Sequence, residues 1–217
     1  MRDFDVRHAL CTYLLERHAG DRDTLIVEEM GIWAGAVRVD VAVINGEMHG
    51  FELKSERDTL ERLPGQRVLY DKVFDRVTLV VADRHFSKAL PLIPEWWGIK
   101  AAVMGDHGVI LNEVRADRAN PCIDPLQIAR LLWKDEALSC LERFGGTRGF
   151  KSATSEKLAA EVAQRLAPTA LRAEVRASLK RRQNWLRQAL RDKRKMSICV
   201  DLDPLASTTR GSAVGDC

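Results

Sequence analysis

Hydrophobic and polar residues alternate most clearly in two neighbouring segments, AVRVDVAVI at 36–44 and MHGFELK at 48–54. Alternation with a period of two predicts strands, and the Asn45-Gly46 pair between them predicts a hairpin. The run VTLVVA at 77–82 is continuously apolar, which is typical of a strand buried on both faces. The pattern therefore predicts a sheet with at least one interior strand.

Apolar residues with a helical period appear before and after these strands. Val6, Leu10 and Leu14 form a stripe that predicts a helix over 3–18, and a second helix is predicted over 59–74. The other predicted elements are a strand over 24–30, a hairpin around 105–108, a helix from Asp124-Pro125 to Leu141, and helices over about 155–166 and 168–195. This order predicts an α/β fold around a small mixed sheet, followed by a C-terminal helical annex.

The register of the first hairpin decides which side chains share a face of the sheet. A two-residue turn would place Asp40 and Glu52 on opposite faces. A three-residue loop over 44–46, with Gly46 in the left-handed conformation, places Asp40, Glu52 and Lys54 on one face. Burial favours this second register, because it gathers six large apolar side chains on the other face: Val37, Val39, Val41, Val43, Phe51 and Leu53.

Two carboxylates held close together raise each other's pKa unless a cation lies between them. Asp40 and Glu52 would suit Mg²⁺ or Mn²⁺, which binds one or two carboxylates together with water and phosphate oxygens. Lys54 would then orient or help to deprotonate a metal-bound water. Two other interpretations stay open: a salt bridge of Arg38 or Lys54 with Glu52, or a polar sheet face open to water.

These residues resemble the signature of a known nuclease superfamily. Asp40, a short hairpin and Glu52-Leu53-Lys54 are similar to the PD-(D/E)xK motif, with Val39 where the motif has its proline. Gln66 to Tyr70 matches the Q-x-x-x-Y element of the branch that resembles the RecB nuclease domain. The resemblance covers about residues 3–115, and the segment 50–85 is also similar to a family of small bacterial proteins of this superfamily.

The resemblance implies a restriction-endonuclease-like core of a helix, three strands, a helix and a strand. It implies that Asp40, Glu52 and the Leu53 carbonyl hold the metal, and that Lys54 positions the attacking water. It also implies that Gln66 and Tyr70 contact the nucleic-acid backbone or the active-site carboxylates. A further acidic ligand is common in the superfamily; Glu16, Glu28 and Glu29 are the candidates, and Glu29 is preferred.

Charge is distributed unevenly along the chain. Residues 1–142 contain 18 basic and 24 acidic residues, whereas residues 143–195 contain 15 basic and 4 acidic residues. An acidic body beside a basic helical region suggests a site for cations next to a surface for polyanions. The candidate phosphate contacts are Arg38, Lys180, Arg181, Arg182 and the cluster 191–195. The alternative is an amphipathic, Arg-rich helix that packs on the body and exposes its charges to water.

Composition limits the possible cellular location of the protein and its possible domain organisation. No stretch approaches the roughly 20 apolar residues of a membrane span, and the charged N-terminus lacks the apolar core of a signal peptide. Five widely spaced cysteines favour a reducing cytoplasm over a disulfide framework or a zinc site. We expect a nuclease-like core over 1–120, a basic helical region over 121–196, and a tail over 197–217 that lacks order.

The sequence therefore predicts a cytoplasmic, metal-dependent nuclease that hydrolyses phosphodiester bonds in DNA by attack of a metal-bound water, with a homodimer as a further expectation. Two alternatives remain. One is a catalytically inactive protein of the same fold that binds nucleic acid or a protein partner. The other is a purely structural interaction protein.

Overall fold

The computed structural model describes residues 1–32, 35 and 37–182. All of them lie within one compact unit, Met1–Arg182. This part of the chain is a mixed α/β structure, as predicted. The expected tail over 197–217 and the basic cluster 191–195 lie outside the described residues. The strands of the described part are β1 (Leu25–Ile32), β2 (Val37–Ile44), β3 (Met48–Lys54), β4 (Arg76–Ala82), β5 (Gly98–Gly105) and β6 (Gly108–Arg115).

The six strands form one sheet in the order β1-β2-β3-β4-β5-β6. The first three strands are antiparallel neighbours, β3 to β5 run parallel, and β6 returns antiparallel to β5. The predicted mixed sheet is therefore confirmed. Strand β4 is buried along almost its whole length, as its continuous apolar sequence predicts.

The hairpin register keeps the predicted faces but differs by two residues from the predicted pairing. Val41 pairs with Phe51 and Ile44 with Met48, so the loop is 45–47 and not 44–46. The left-handed conformation predicted for Gly46 is wrong, because this residue does not adopt a positive φ. Asn45 closes the loop instead: its amide donates to the Glu47 carbonyl at 3.0 Å and its side-chain oxygen accepts from the Glu47 amide at 3.1 Å.

The described residues form seven α-helices, none of them long and apolar enough to cross a membrane. They are α1 (Asp3–Arg17), α2 (Leu63–Val73), α3 (Phe86–Ala89), α4 (Pro125–Ala129), α5 (Lys134–Arg143), α6 (Ser155–Arg165) and α7 (Pro168–Arg181). Helix α1 packs its predicted stripe on the apolar face of the sheet. That core contains Val6, Leu10, Leu14, Val41, Val43, Phe51 and Leu53.

Helix α2 covers the opposite face, which changes the predicted environment of the charged residues there. Tyr70 of α2 is fully buried, stacks on Trp97 with ring centroids 6.1 Å apart, and reaches the sheet. Beneath it, Glu52 and Lys54 are only 1% and 3% exposed. The alternative of a polar sheet face open to water is therefore wrong for Glu52 and Lys54, because α2 covers them. The other alternative, a salt bridge of Lys54 with Glu52, is present at 2.5 Å.

The helix predicted from Pro125 to Leu141 is two helices, α4 and α5, separated at 130–133. The second helix has its own N-terminus, where the Glu136 carboxylate accepts the Trp133 amide at 2.7 Å. The apolar period runs through the break because Leu131 and Leu132 stay buried in the turn. Hydrophobic spacing alone therefore predicts one helix where the structure has two, with a capping residue at the start of the second.

Candidate active site

The site lies where strands β2 and β3 part. Their ladder ends at Val41 and Phe51, and one step further the register brings Asp40 opposite Glu52. Beyond that point the Leu53 amide donates to Asp40 Oδ2 at 2.8 Å in place of a β2 carbonyl. The Leu53 carbonyl points to the same side of the strand as its amide, so this backbone oxygen faces the opening between the strands.

A short network connects the other charged side chains of β3 to α2. Lys54 Nζ donates to Glu52 Oε1 at 2.5 Å and to Gln66 Oε1 at 3.2 Å. The Tyr70 hydroxyl lies 2.7 Å from Glu52 Oε2 and 2.9 Å from the Arg38 carbonyl, with one proton to donate between them. Both oxygens of the buried Glu52 carboxylate therefore have protein donors, which hold its orientation.

Burial and, after it, the neighbouring Asp40 carboxylate raise the pKa of Glu52 to about 7. The ammonium of Lys54 and the hydroxyl of Tyr70 act in the opposite direction and limit the rise. Burial also raises the pKa of Tyr70, and the negative charge of Glu52 adds to this effect, so the hydroxyl stays protonated and remains a donor. Glu52 is thus an acid that changes charge near neutral pH.

Arg7, on α1, is the main partner of Asp40. Its Nη2 lies 3.0 Å from Asp40 Oδ1 and 2.9 Å from Glu29 Oε1, and its Nη1 donates to the Asp40 carbonyl at 2.8 Å. Its Nε reaches Asp3 at 3.3 Å. Burial lowers the pKa of Arg7, but the three carboxylates more than offset this effect and raise it overall. Arg7 is therefore a permanent cation among the site acids.

These residues line an open cleft of about 800 Å³. The cleft walls come from α1, from β1 to β3, and from the loop and first turn leading into α2. Six acidic side chains line it, Asp3, Glu29, Asp40, Glu52, Asp58 and Glu61, against four basic ones, Arg7, Arg38, Lys54 and Arg62. The excess of carboxylates gives the cleft a net attraction for cations.

The donor set at this cleft fits a hard divalent cation. Across the described ranges, no group of three or more His, Cys, Asp and Glu side chains has the arrangement of a metal centre. Mg²⁺ and Mn²⁺ need fewer protein ligands, commonly one or two carboxylates with substrate phosphate and water. Asp40 Oδ1, the Glu52 carboxylate and the Leu53 carbonyl supply such a set, and each carboxylate oxygen has a second lone pair beyond its present hydrogen bond.

Glu29 lies in the cleft with a strained backbone. It is the one non-glycine residue with a positive φ in the described ranges, at 52°. Burial raises the pKa of Glu29, although Arg7 opposes the rise. A side chain held in the left-handed region costs about 1 kcal/mol, and such strain persists where the surrounding structure imposes it. Of the three acids considered beside Asp40, only Glu29 lines this cleft; Glu16 lines a separate pocket with Phe4 and His107, and Glu28 does not line it.

A pair of substitutions at Glu29 tests this strain. Glu29→Gly and Glu29→Ala both remove the carboxylate, but only glycine relaxes at φ 52°. We expect the glycine variant to exceed the alanine variant by about 1 kcal/mol in free energy of unfolding, measured by urea denaturation. The same pair at Glu28, whose φ is not positive, should give the opposite order by about 0.5–1 kcal/mol. Equal stabilities at position 29 would rule out the strain.

The candidate nucleic-acid contacts on β2 and α2 differ in access. Arg38 is exposed and lines the cleft, and Gln66 lines it next to Lys54. Tyr70 is fully buried, and its hydroxyl contacts the Glu52 carboxylate. Of the two roles implied for Tyr70, its position suits contact with a carboxylate of the candidate site, that of Glu52.

The three basic candidates at the end of α7 also differ. Lys180 Nζ lies 2.6 Å from Asp23 Oδ2, and the Arg181 side chain is exposed with a hydrogen bond to Ser178. Arg182 is 7% exposed; its guanidinium donates twice to Glu136 and lies 4.4 Å from the centre of the Trp133 ring. Arg182 therefore serves the packing of the helices, and Arg181 is the member of this group that faces solvent.

Sequence reasoning did not identify Arg7, Asp3 or Arg62, all of which line the cleft. The signal available for Arg7 was its spacing of four from Asp3 on a predicted helix, directly beside Val6 of the buried stripe. That spacing predicts an ion pair on the helix surface. Only the packing of α1 against β2 brings this ion pair to Asp40.

Comparison with known proteins places the chain beside a phage protein. The family described as bacteriophage P4 protein cII matches residues 1–206. Protein cII of Enterobacteria phage P4 is 26% identical over 147 residues, which cover 68% of this chain and 55% of that protein. The chain thus spans about half the length of the curated relative that it matches. No solved structure matches the chain.

Proposed function

The chain belongs to the family of bacteriophage P4 protein cII, and we propose that it is a metal-dependent nuclease with a restriction-endonuclease-like core of the PD-(D/E)xK superfamily. The observation that carries the proposal is the convergence of Asp40, Glu52 and Lys54 at the point where β2 and β3 part. The element order also supports it: α1, three antiparallel strands, α2 and the parallel strand β4.

Each residue of this group has a task that follows from its contacts. Asp40 is held by the Leu53 amide through Oδ2, which leaves Oδ1 to face the cleft and its present partner Arg7. Glu52 is held by Tyr70 through Oε2 and by Lys54 through Oε1. Together with the Leu53 carbonyl, these two carboxylates would hold Mg²⁺ or Mn²⁺, and the bound ion would supply Lewis acidity towards a phosphoryl oxygen and a water.

Lys54 provides a fixed cation beside the reacting phosphate. It is almost fully buried, and its ammonium is positioned from both sides, by Glu52 on the same strand and by Gln66 on α2. A pre-positioned positive charge stabilises the negative charge that develops on phosphate during hydrolysis, and it needs no reorganisation at that moment. Lys54 also has donors enough to orient a water while it keeps its contact with Glu52.

DNA is the substrate that we propose. A polyanion needs positive charge around the acidic centre, and the exposed Arg38 and Arg62 supply it at the cleft. The helical region adds exposed basic residues farther along the chain: Arg143, Arg148, Lys151, Lys157 and Arg181. These side chains favour binding of the phosphate backbone, while the chemistry takes place between the carboxylates.

Cleavage as a function of pH tests this proposal. Purified protein with Mg²⁺ or Mn²⁺ should cleave linear or circular DNA, single- or double-stranded, and EDTA should stop the reaction. At a subsaturating metal concentration, the rate should rise up to tenfold per pH unit below about 7 and level off above it, because the ion has to displace the proton of Glu52, whose pKa in the metal-free site is raised to about 7. Absence of cleavage on all four substrates with both metals would contradict the proposal.

Tyr70→Phe separates titration of Glu52 from a general effect of hydroxide. The Tyr70 hydroxyl lowers the pKa of Glu52, so its loss should move the midpoint of the pH profile to higher pH. Tyr13→Phe is the matched control, since the Tyr13 hydroxyl accepts from Arg17 and lies outside the cleft. Its profile should overlay that of the unmodified protein. An unshifted midpoint in Tyr70→Phe would exclude Glu52 as the titrating group.

One observation favours a second candidate function, a nuclease-fold protein that binds DNA without cleaving it. All four carboxylate oxygens of Asp40 and Glu52 already have protein donors: Arg7, the Leu53 amide, Lys54 and Tyr70. A site whose acids are neutralised internally is stable without a metal. Salt-dependent DNA binding with no turnover would select this function.

A further inference from the structure

We propose that Arg7 competes with the divalent cation for Asp40 Oδ1. By occupying this oxygen, Arg7 sets the metal affinity of the site. This inference rests on the proposed function, because it concerns the same site, and it adds a residue outside the motif that defines that site. Arg7 is on α1, 33 positions before Asp40.

The Asp40 carboxylate turns one of its two oxygens, Oδ1, towards the cleft. Oδ2 accepts the Leu53 amide at 2.8 Å, a backbone contact that holds the carboxylate in place. Oδ1 is therefore the oxygen that turns to the cleft, and Arg7 Nη2 lies 3.0 Å from it. A metal ion and a guanidinium that approach the same carboxylate oxygen repel each other and compete for its lone pairs.

Arg7 is held firmly enough to compete with a metal ion for Asp40 Oδ1. Its side chain is 15% exposed, and one guanidinium contacts Asp3, Glu29, the Asp40 carboxylate and the Asp40 carbonyl. A charge-assisted pair in such a partly buried position is stronger than a surface salt bridge. The protein without metal is therefore the state in which Arg7 neutralises Asp40.

Arg7 has other carboxylate partners to bind when it releases Asp40 Oδ1. Glu29 Oε1 lies 2.9 Å from Nη2, Asp3 Oδ2 lies 3.3 Å from Nε, and Glu28 Oε2 lies 3.9 Å from Nη1. These three carboxylates remain as partners of the guanidinium when it gives up Asp40 Oδ1. Glu29 then acts as the second holder of Arg7, which accounts for a carboxylate at a position where the backbone is strained.

Titration with Mn²⁺ by isothermal calorimetry, on the full chain at pH 8, tests the competition. Arg7→Gln removes the guanidinium charge and keeps a polar side chain, although a shorter one. We expect it to bind Mn²⁺ about tenfold more tightly than the unmodified protein, because the competing cation is gone and the binding-competent state no longer has to be reached first. Arg7→Lys, which keeps the charge but cannot bridge several carboxylates, should lie between the two.

Arg17→Gln is the matched control, on the same helix and with the same change of charge. Arg17 donates to Tyr13 and does not line the cleft, so its variant should bind Mn²⁺ as the unmodified protein does. Circular dichroism establishes that each variant is folded, and Arg7→Lys carries the test if Arg7→Gln does not fold. An equal gain in affinity in Arg17→Gln would show a distant charge effect and overturn the competition.

The outcomes separate this inference from the proposed function. Equal or weaker Mn²⁺ affinity in the Arg7 variants, with binding still abolished by Asp40→Asn, overturns the role of Arg7 and leaves the metal site in place. No Mn²⁺ binding by the unmodified protein or by any variant overturns the proposed function together with the inference. Binding that appears only in Arg7→Gln supports the competition in its strongest form.

Discussion

Replacing Asp40 with asparagine is expected to reduce metal-dependent cleavage of DNA by at least about 1,000-fold, the largest effect among these predictions. The asparagine side chain would keep an oxygen to accept the Leu53 amide, so the local backbone should hold. It would lose the negative charge that faces the cleft, and with it one of the two carboxylates available to the ion. Initial rates on a fluorescent DNA substrate at saturating Mg²⁺ measure the change.

The matched control for this substitution is Asp83→Asn. Asp83 follows β4, is exposed, and undergoes the same change of charge and shape. Its variant should cleave at the rate of the unmodified protein. Both variants should have the circular dichroism spectrum of the folded protein, although Asp40→Asn loses its ion pair with Arg7 and should unfold at a lower urea concentration. Retention of more than a tenth of the activity by Asp40→Asn would exclude Asp40 from the chemistry.

Replacing Asp75 with alanine is expected to reduce the free energy of unfolding by about 3 kcal/mol. Asp75 is 8% exposed and connects two parts of the chain. Its Oδ2 accepts the buried Met48 amide at 2.7 Å, and its Oδ1 accepts from Arg172 of α7 at 2.8 Å. Alanine would leave the Met48 amide and the partly buried Arg172 guanidinium without this acceptor, and both losses destabilise the folded state.

Two further variants separate the contributions to this loss of stability. Asp75→Asn keeps an oxygen for the Met48 amide and loses the charge opposite Arg172, so it should cost about half as much as Asp75→Ala. Asp83→Ala removes an exposed aspartate and should change the free energy of unfolding by less than about 0.5 kcal/mol. Equilibrium urea denaturation followed by tryptophan fluorescence gives all three values. A loss below about 1 kcal/mol in Asp75→Ala would show that β3 and α7 are held by other contacts.

The arrangement of Asp40, Glu52 and Lys54 follows from the alternation of the two strands. Side chains in a strand alternate between faces, so any even shift of the hairpin keeps the same residues on the same face. The observed pairing differs by two residues from the predicted one, and the three charges nevertheless share a face. Apolar burial specifies this sorting, since an odd shift would put Phe51 and Leu53 on the face of the charges.

Sequence pattern was less informative where a break or a cap decides the structure. The helical spacing of apolar residues between Pro125 and Leu141 continues across the turn that separates α4 from α5. This spacing indicates which residues are buried and does not show whether the helix is continuous. Likewise, Arg182 at the end of a basic helix is predicted to contact phosphate, whereas it is buried against Glu136. Charge in a sequence does not say which acid, 46 positions away, the fold brings to it.

The sequence by itself determined the strands, the mixed α/β class, and the face that carries the acid pair and its lysine. These features depend on periods of two and 3.6 residues, which are local properties of the chain. Only the tertiary structure decided that α2 buries Glu52 and Lys54, and that α1 delivers Arg7 to Asp40. Both depend on which helix packs on which face of the sheet, and that choice is made by contacts between segments far apart in sequence.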